Sequence, residues 1–259
     1  MKSKSGPYGH AGGNGISAPT AVQNNIIAKL PANELAAFEE RAAKISSPLR
    51  ETLFELNEPF ERVLFPLTGM GSLVTVLRDG TTLEAQTVGR EGFMGLPLFH
   101  GIPVARCKGI TQVEGDFYQM SPDDFVSLLK IAPELRHQLH RYAQFSNEVV
   151  AQSAACNSMH LIEQRCARWL LLTADAVGRK DFSLTQEFLS QMLAVRRPGV
   201  TVAIGTLERQ GLIEHRYGKV SISDAEGLKK VSCECYQTIT DKASELLDWP
   251  GVSQSARIA

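Results

Sequence analysis

The segment "AVRRPGVTVAIGTLERQGLIEHRYGKVSI", from Ala194 to Ile222, decides the fold of the C-terminal part of this chain. Arg196 and Arg197 precede a Pro-Gly pair, and proline is well tolerated only in the first turn of a helix. The apolar residues behind them recur at i, i+3, i+4 and i+7, which predicts a helix from about residue 197: Val200, Ala203, Ile204 and Leu207. The leading end of this helix therefore carries two cations and is suited to a negatively charged partner.

A shorter helix and a strand pair flank this segment. Thr185 is placed as an N-cap, with Glu187 in the first turn of an apolar helix that ends near Ala194. Downstream, "LIEHRYGKVSI" predicts a hairpin with its turn near Tyr217-Gly218. Two helices joined by a short connection and followed by a hairpin predict a winged helix-turn-helix.

Arginines exposed at a helix start are suited to phosphates and to guanine O6 and N7, because the helix dipole and free backbone N–H groups add to their charge. The hairpin supplies further cations for neighbouring phosphates. A solvated charged face is the alternative for the arginine pair taken alone. The predicted DNA-binding residues are Arg196, Arg197, Gly199, Thr201, Val202, Arg209, Arg216 and Lys219.

The overall composition is that of a globular protein, with 43% hydrophobic and 21% charged residues among 259. The formal charge of −1 gives no global sign of nucleic-acid binding, but residues 160–222 carry nine Lys+Arg against six Asp+Glu, a local charge of +3. No apolar run reaches the length of a membrane span and no secretory signal is visible, so we expect a cytoplasmic protein without a membrane partner. Five cysteines, an odd number, fit free thiols in a reducing compartment.

The upstream chain predicts an α+β organisation. Residues 1–24 are rich in Gly, Ser and Pro, which indicates a disordered tail. Short apolar runs punctuated by glycine, from about Phe54 to Met120, predict an antiparallel β-roll with a tight turn at Asp79-Gly80. The predicted units are an effector-sensing β-roll domain with flanking helices at 25–132, a central helix at 133–157, a winged helix-turn-helix with a C-terminal helix at 158–248, and a tail at 249–259.

The central helix carries an apolar stripe with a spacing close to 3.5 residues. A helix of about 24 residues would extend ~36 Å, which is long for a small domain unless it packs on a partner. We therefore expect a dimerisation helix, with an intrachain core helix as the alternative. The stripe runs to Cys156, and its predicted dimerisation residues are Leu135, Leu139, Tyr142, Phe145 and Val149.

The stretch "LTQEFLSQMLAVRRPGVTVAIGTLERQGLI", with the β-roll and long helix before it, resembles the Crp/Fnr superfamily of bacterial transcription regulators over about residues 26–240. The resemblance implies a cyclic-nucleotide-binding-like jelly roll, a dimerising central helix and a winged helix that reads a two-fold DNA operator. It also implies RNA polymerase and a small-molecule effector as partners. Several members place an acidic residue where this chain has Pro198, so we expect a different half-site.

The family's phosphate-binding cassette matches "GLPLFHGIPVARC", from Gly95 to Cys107. Gly95 and Arg106 stand at the family's spacing, whereas Leu96 replaces a carboxylate and Cys107 a hydroxyl. Loss of a hydrogen-bond partner for a buried sugar hydroxyl costs about 1–3 kcal/mol, so we do not expect binding of cyclic AMP in the family's usual way. These four positions are the predicted effector site for an effector that the sequence does not identify.

No cofactor or metal is predicted. The first cysteine is Cys107, so the N-terminal ligands of an Fnr-type iron–sulfur cluster are missing. For His100, a polar surface role is preferred over haem ligation. Cys233 and Cys235 are expected on different faces of a helix, which argues against a shared metal. His160 and Glu163 could ligate a metal, although helix capping is preferred.

Common nucleotide-binding and hydrolase motifs are missing from the sequence, so an enzyme is not expected. Two classes of regulator remain. The first is a homodimeric, sequence-specific DNA-binding transcription regulator. The second is a ligand-sensing regulatory protein that acts through protein contacts, and a salt titration of DNA binding distinguishes the two.

Overall fold

A computed structural model describes residues 24–248, so the tails predicted at 1–24 and 249–259 lie outside the described residues apart from Asn24. The predicted α+β class is confirmed. Over this range, no helix combines the length and apolar character needed to cross a bilayer. After a 3-10 turn at Ile27–Lys29 the elements are α1 Ala32–Glu39, β1 Ala43–Ser47, β2 Thr52–Phe54, β3 Val63–Pro66, β4 Met70–Val76, β5 Thr82–Val88, α2 Leu96–Phe99, β6 Lys108–Val113, β7 Gly115–Met120, α3 Pro122–Ile131, α4 Pro133–Met159, α5 Ile162–Val177, β8 Asp181–Ser183, α6 Gln186–Met192, α7 Arg197–Arg209, β9 Ile213–Arg216, β10 Lys219–Ile222, α8 Ala225–Val231 and α9 Cys235–Leu247.

The N-terminal strands form two antiparallel sheets, one in the order β1-β7-β3 and one in the order β2-β6-β4-β5. The β4–β5 hairpin turns at Gly80, which has φ +84°, as the Asp79-Gly80 pair predicts. Aromatic rings fill the space between the sheets and helices, with Phe65 stacked on Phe93 at 5.5 Å between centroids. The β-roll is therefore a packed aromatic core that supports the helices laid against it.

The central helix α4 has 27 residues, about 40 Å at 1.5 Å per residue. The prediction that its apolar stripe forms a dimer seam is wrong. Leu135, Leu139, Tyr142 and Phe145 are buried in the chain's own core, and Val149 packs against the same core. The stripe faces inward because the aromatic roll needs an apolar cover, and a buried side chain leaves no surface for a partner.

The C-terminal unit packs α5, α6, α7 and α8 against a small sheet in the order β8-β10-β9. The predicted C-terminal helix consists of two helices, α8 and α9, and α9 returns along α4 toward the β-roll. Ile239, Ala243 and Leu247 of α9 join the N-terminal core. The end of α9 is held by a 3.0 Å hydrogen bond from Asn25 Nδ2 to the Leu247 carbonyl. The last helix therefore ties the C-terminal unit to the N-terminal one.

The β-roll also contacts the helix-turn-helix unit directly. Met70 and Val113 belong to the C-terminal core although they lie on strands of the roll. Arg50 Nη2 donates a 2.9 Å hydrogen bond to Thr185 Oγ1 at the start of α6. A change in the roll can therefore reach the helix-turn-helix through α4, through α9 or through this contact.

Candidate nucleic-acid interface

Helices α6 and α7 form the predicted helix-turn-helix. Thr185 caps α6, its hydroxyl accepting a 3.2 Å hydrogen bond from the Phe188 N–H. Ala194 adopts φ +51° in the connection, and the Val195 N–H donates to the Ser190 carbonyl at 3.0 Å. The left-handed residue turns the chain sharply, so that α7 starts at Arg197 and crosses α6.

Helix α7 divides into a buried and an exposed face. Val200, Ala203, Ile204 and Leu207 are at most 1% exposed and pack into the C-terminal core. Thr201, Val202 and Arg209 are exposed along the rest of the helix surface, whereas Arg196 and Arg197 are exposed because they stand at the leading end of the helix. The 3.6-residue period thus buries the apolar residues, and the predicted cations of this helix are exposed at its two ends.

The start of α7 offers fewer free backbone donors than the sequence argument assumes. Pro198 has no N–H, and the Gly199 N–H donates a 2.9 Å hydrogen bond to the Arg196 carbonyl. Gly199 is half-buried, and a Cβ atom there would lie 3.1 Å from Ile162 Cδ1. Gly199 therefore permits close packing of α7 on α5, while the arginine side chains supply the positive charge.

Two hydroxyl groups organise the exposed face. Thr201 Oγ1 donates within 2.8 Å of Gln186 Oε1, which links the two helices of the motif. Arg209 Nη2 donates a 2.9 Å hydrogen bond to Thr206 Oγ1, so its guanidinium is folded along the helix. Arg209 lies at the far end of α7 from Arg197, so both ends of the helix carry an exposed cation.

Strands β9 and β10 form the predicted wing, with Arg216 directly opposite Lys219. The two turn residues, Tyr217 and Gly218, have φ +52° and +73°, the positive values of a tight hairpin turn. Both cations are exposed, and Tyr217 is completely exposed at the tip. Tyr217 is not among the DNA-binding residues predicted from the sequence. Its place in a two-residue hairpin turn was the signal that its side chain would be exposed.

The five basic residues of this surface are Arg196, Arg197, Arg209, Arg216 and Lys219. Within residues 24–248, none of them lies within 4.0 Å of a carboxylate oxygen. Their charges are therefore free to interact with an anionic partner. Exposed cations of this kind are the electrostatic footprint of a nucleic-acid-binding surface.

The predicted effector positions lie around helix α2 and before β6. Gly95 has φ +154° and precedes α2, while Leu96 and Cys107 pack against the apolar core of the roll and Arg106 is exposed. Burial raises the pKa of the Cys107 thiol to about 11. Of the four positions, only Arg106 offers a charge at neutral pH. A separate groove of about 320 Å³ lies elsewhere in the roll and is lined by Glu55, Glu58, Glu61 and Arg62, among others.

Two buried carboxyl groups lie where the units meet. Burial raises the pKa of Glu84, on β5, to about 7, against the opposing effect of hydrogen bonds from Ser72 and Trp169. Burial also raises the pKa of Asp175, on α5, to about 6, and its carboxylate accepts a 2.8 Å hydrogen bond from the Tyr236 hydroxyl. The contact between the units is therefore sensitive to proton concentration.

Three cysteines and a histidine meet where α4 ends and α9 begins. The Sγ atoms of Cys156, Cys233 and Cys235 and a ring nitrogen of His160 all lie within 4.8 Å of one another. The expectation that Cys233 and Cys235 point apart on one helix is wrong, because Cys233 precedes α9 and lies in the connection from α8. Sequence reasoning paired His160 with Glu163 as possible ligands and missed its approach to Cys156, although their i, i+4 spacing at the end of α4 is a signal that could have found it.

Comparison with known proteins identifies a matching domain family and a related regulator. Residues 164–231 match the Crp-like helix-turn-helix domain family. The chain is 26% identical over 180 residues to the transcriptional regulator SdrP of Thermus thermophilus, an alignment that covers 67% of this chain and 85% of SdrP.

Solved structures show the same architecture. A CRP-family transcriptional regulator from Thermus thermophilus superposes with a TM-score of 0.61 and 20% identity, covering 73% of this chain and 96% of that one. FixK2 from Bradyrhizobium japonicum superposes with a TM-score of 0.62 and 16% identity, covering 74% and 98%. At these identities the likeness establishes the fold, from the β-roll through the long helix to the helix-turn-helix.

Proposed function

We propose that this chain, which matches a Crp-like helix-turn-helix domain over residues 164–231, is a transcription regulator of the Crp/Fnr superfamily that binds a pseudo-palindromic DNA operator as a homodimer. The observation that carries the proposal is the exposed surface of α7 and of the wing that follows it. It presents five exposed cations without carboxylate partners among the described residues. We assign no enzymatic activity to it.

The residues of this surface divide by role. Arg196 and Arg197 stand at the leading end of α7, where a guanidinium can make paired hydrogen bonds to guanine O6 and N7 in the major groove. Val202 is 58% exposed and is placed to contact a thymine methyl group. Thr201 stands beside Val202. Gly199, whose N–H already donates to the Arg196 carbonyl, lets α7 pack closely on α5. Arg209, Arg216 and Lys219 contact phosphates, which positions the protein without reading sequence.

We assign the dimer interface to the solvent face of α4 in place of the buried stripe. Ala143, Asn147, Val150 and Ala154 recur there at intervals of four, three and four residues, the period of a coiled-coil seam, and Val150 is 41% exposed. Met159 and Leu161, at the end of the helix, are 79% and 69% exposed. Adjacent exposed apolar side chains of this size are typical of an interaction surface.

The remaining partners follow from this role. A regulator that reads an operator acts on cytoplasmic DNA, and we place RNA polymerase among its contacts. Its small-molecule effector would bind at the roll near Gly95, Leu96, Arg106 and Cys107. With a hydrophobic Leu96 in the cassette, we expect a ligand other than cyclic AMP.

The decisive experiment selects duplexes from a random DNA pool with the full chain and then titrates salt against the best duplex. A protein that neutralises several phosphates shows a linear decrease of log K with log salt concentration. We expect selected duplexes with two related half-sites about 34 Å apart, one helical turn. A Lys130→Ala variant, which removes an exposed cation on α3, is the matched control and should bind like the wild type. Salt-independent or undetectable DNA binding would instead support regulation through protein contacts.

A further inference from the structure

The cysteine–histidine cluster brings together two parts of the chain that are distant in sequence. Cys156 and His160 end the central helix α4, and Cys233 and Cys235 flank the start of α9. Cys156 Sγ lies 3.5 Å from Cys233 Sγ, and Cys235 Sγ lies 3.5 Å from His160 Nδ1. Four potential ligand atoms thus converge on one point.

The spacing of these atoms matches a single tetrahedral ion. Zinc binds cysteine sulfur at about 2.3 Å and histidine nitrogen at about 2.0–2.1 Å, so the edges of a Cys3His tetrahedron are about 3.5–3.8 Å. All four atoms lie within 4.8 Å of one another, so closing the site needs only small side-chain movements. An iron–sulfur cluster is less well matched, because it generally uses four cysteine thiolates.

The surroundings of the cluster are those of a closed structural site. The three cysteine side chains are at most 4% exposed, and His160 forms the solvent side with a partly exposed ring. His160 Nε2 lies 4.0 Å from Glu234 Oε1, which favours the ring orientation that points Nδ1 at the thiols. Gln152 Nε2 donates a 3.1 Å hydrogen bond to Cys235 Sγ.

Buried positive charge lies beside the cluster. Arg165 and Arg168, on α5, are 6% and 7% exposed and interact electrostatically with Cys156 and Cys233. Neither guanidinium forms an ion pair with a carboxylate within the part of the chain that the structure describes, and the Nε of each lacks a hydrogen-bond partner there. Three thiolates around a divalent ion carry one net negative charge, which these guanidinium groups would offset.

We propose that Cys156, His160, Cys233 and Cys235 bind one zinc ion in a structural Cys3His site. The ion joins the end of the central helix to the segment between α8 and α9. This is where the chain passes from the sensory core into the DNA-binding unit. The site therefore holds the helix-turn-helix at a defined position relative to α4, and loss of the ion releases α9 from α4. The inference does not depend on DNA binding.

The first test measures metal in the full chain purified under reducing conditions from medium that contains zinc. Inductively coupled plasma mass spectrometry should find about one zinc ion per chain. Cobalt added to the reduced, metal-free chain should produce the visible bands and thiolate charge-transfer absorption of tetrahedral coordination. A chain that holds no zinc and gives no such cobalt spectrum overturns the proposal, and so does a chain loaded with iron or copper.

Variants locate the site. Cys233→Ser and Cys235→Ser should each lower zinc affinity by at least about tenfold, because each removes a direct ligand. Cys107→Ser, which changes a cysteine outside the cluster, should retain full zinc content. Circular dichroism at low temperature checks that each variant folds. If a variant does not fold, the cobalt spectrum of the wild type still tests the proposal. Zinc that is retained by both ligand variants contradicts it.

A third measurement separates the metal site from a disulfide. The 3.5 Å approach of Cys156 to Cys233 would also allow oxidation, which removes two hydrogen atoms per chain. Intact mass should show five free thiols in the zinc-loaded protein after the metal is removed by a chelator without reductant and without oxygen. Amide exchange in α9 should rise on zinc removal and fall again when zinc is restored. A metal-free chain with unchanged exchange in α9 would show that the site does not fasten this helix.

Discussion

Trp169 Nε1 donates a 3.1 Å hydrogen bond to Glu84 Oε1 across the contact between the β-roll and the DNA-binding unit. The other carboxylate oxygen accepts a 2.6 Å hydrogen bond from Ser72 Oγ, and Arg168 lies close enough to lower the pKa of the group. Glu84 keeps some exposure as a residue, but its carboxylate is enclosed by these partners. Burial outweighs them and raises its pKa from 4.5 to about 7.

Replacement of Glu84 by glutamine should change how stability depends on pH. A folded-state pKa above the unfolded value means that the neutral carboxyl is favoured. The stability that the neutral Glu84 carboxyl contributes is fully present below the unfolded pKa of 4.5. It is lost as the pH rises through the folded-state pKa of about 7. Between pH 4.5 and 8, the free energy of unfolding of Glu84→Gln should rise by roughly 2 kcal/mol relative to that of the wild type. This is less than the full pKa shift would give, because Glu84 is partly exposed.

Chemical denaturation of both proteins at a series of pH values measures this difference. Asp175 also has a raised pKa, to about 6, but it is present in both proteins and its effect cancels in the comparison. A difference in unfolding free energy that stays constant from pH 4.5 to 8 would show that the Glu84 carboxyl is not perturbed by the contact.

Arginine and lysine variants of the DNA-binding surface should behave differently. Arg197→Ala should weaken binding to the selected operator by about 1–3 kcal/mol and relax the base preference at one position, since it removes a base contact. Lys219→Ala should weaken binding to all duplexes and lower the salt slope by about one, since it removes a phosphate contact. Fluorescence anisotropy at several salt concentrations gives both quantities. Equal losses on operator and random DNA for Arg197→Ala would assign that residue to phosphate.

A charge on the exposed face of α4 should separate the proposed dimer. Val150→Glu introduces a carboxylate into the seam, where dimer formation would bury it without a partner. We expect the dimer to dissociate at least about tenfold more readily in sedimentation experiments, with unchanged circular dichroism. Val126→Glu is the matched control, because Val126 on α3 has the same 41% exposure. A dimer unaffected by Val150→Glu but broken by Val126→Glu would move the interface to α3.

Two glycine-to-alanine changes should have opposite effects on stability. A Cβ atom at Gly92 would lie 2.1 Å from a ring carbon of Tyr142, so Gly92→Ala forces the buried ring to move and should cost about 1–3 kcal/mol. Gly205 lies inside helix α7, where the nearest atom to an added Cβ is 3.5 Å away. Gly205→Ala should stabilise the chain by about 0.5–1 kcal/mol through helix propensity. Thermal unfolding of both variants checks the pair, and a stabilised Gly92→Ala variant would contradict the close packing of α4 on the roll.

Local sequence patterns predicted the fold of the helix-turn-helix unit well. The N-cap at Thr185, the start of α7 at Arg197 and the turn at Tyr217-Gly218 all depend on interactions within a few residues. Capping, helical periodicity and positive φ angles have recognisable residue preferences, so the sequence is sufficient for them. The same holds for the Asp79-Gly80 hairpin of the roll.

The packing partner of the α4 stripe and the assembly of the cysteine cluster depend on contacts between residues that are far apart in the sequence. The periodicity showed that the side chains of Leu139 and Tyr142 must be buried. It could not show whether the core of the β-roll or a second subunit buries them, because either would satisfy the same pattern. Cys156 and Cys233 are 77 residues apart, and only the return of α9 along α4 brings their sulfur atoms to 3.5 Å. The sequence by itself determined which faces are apolar and which ends are charged, because those depend on neighbours in the chain. The tertiary structure alone decided what each face meets, because that depends on how distant helices pack.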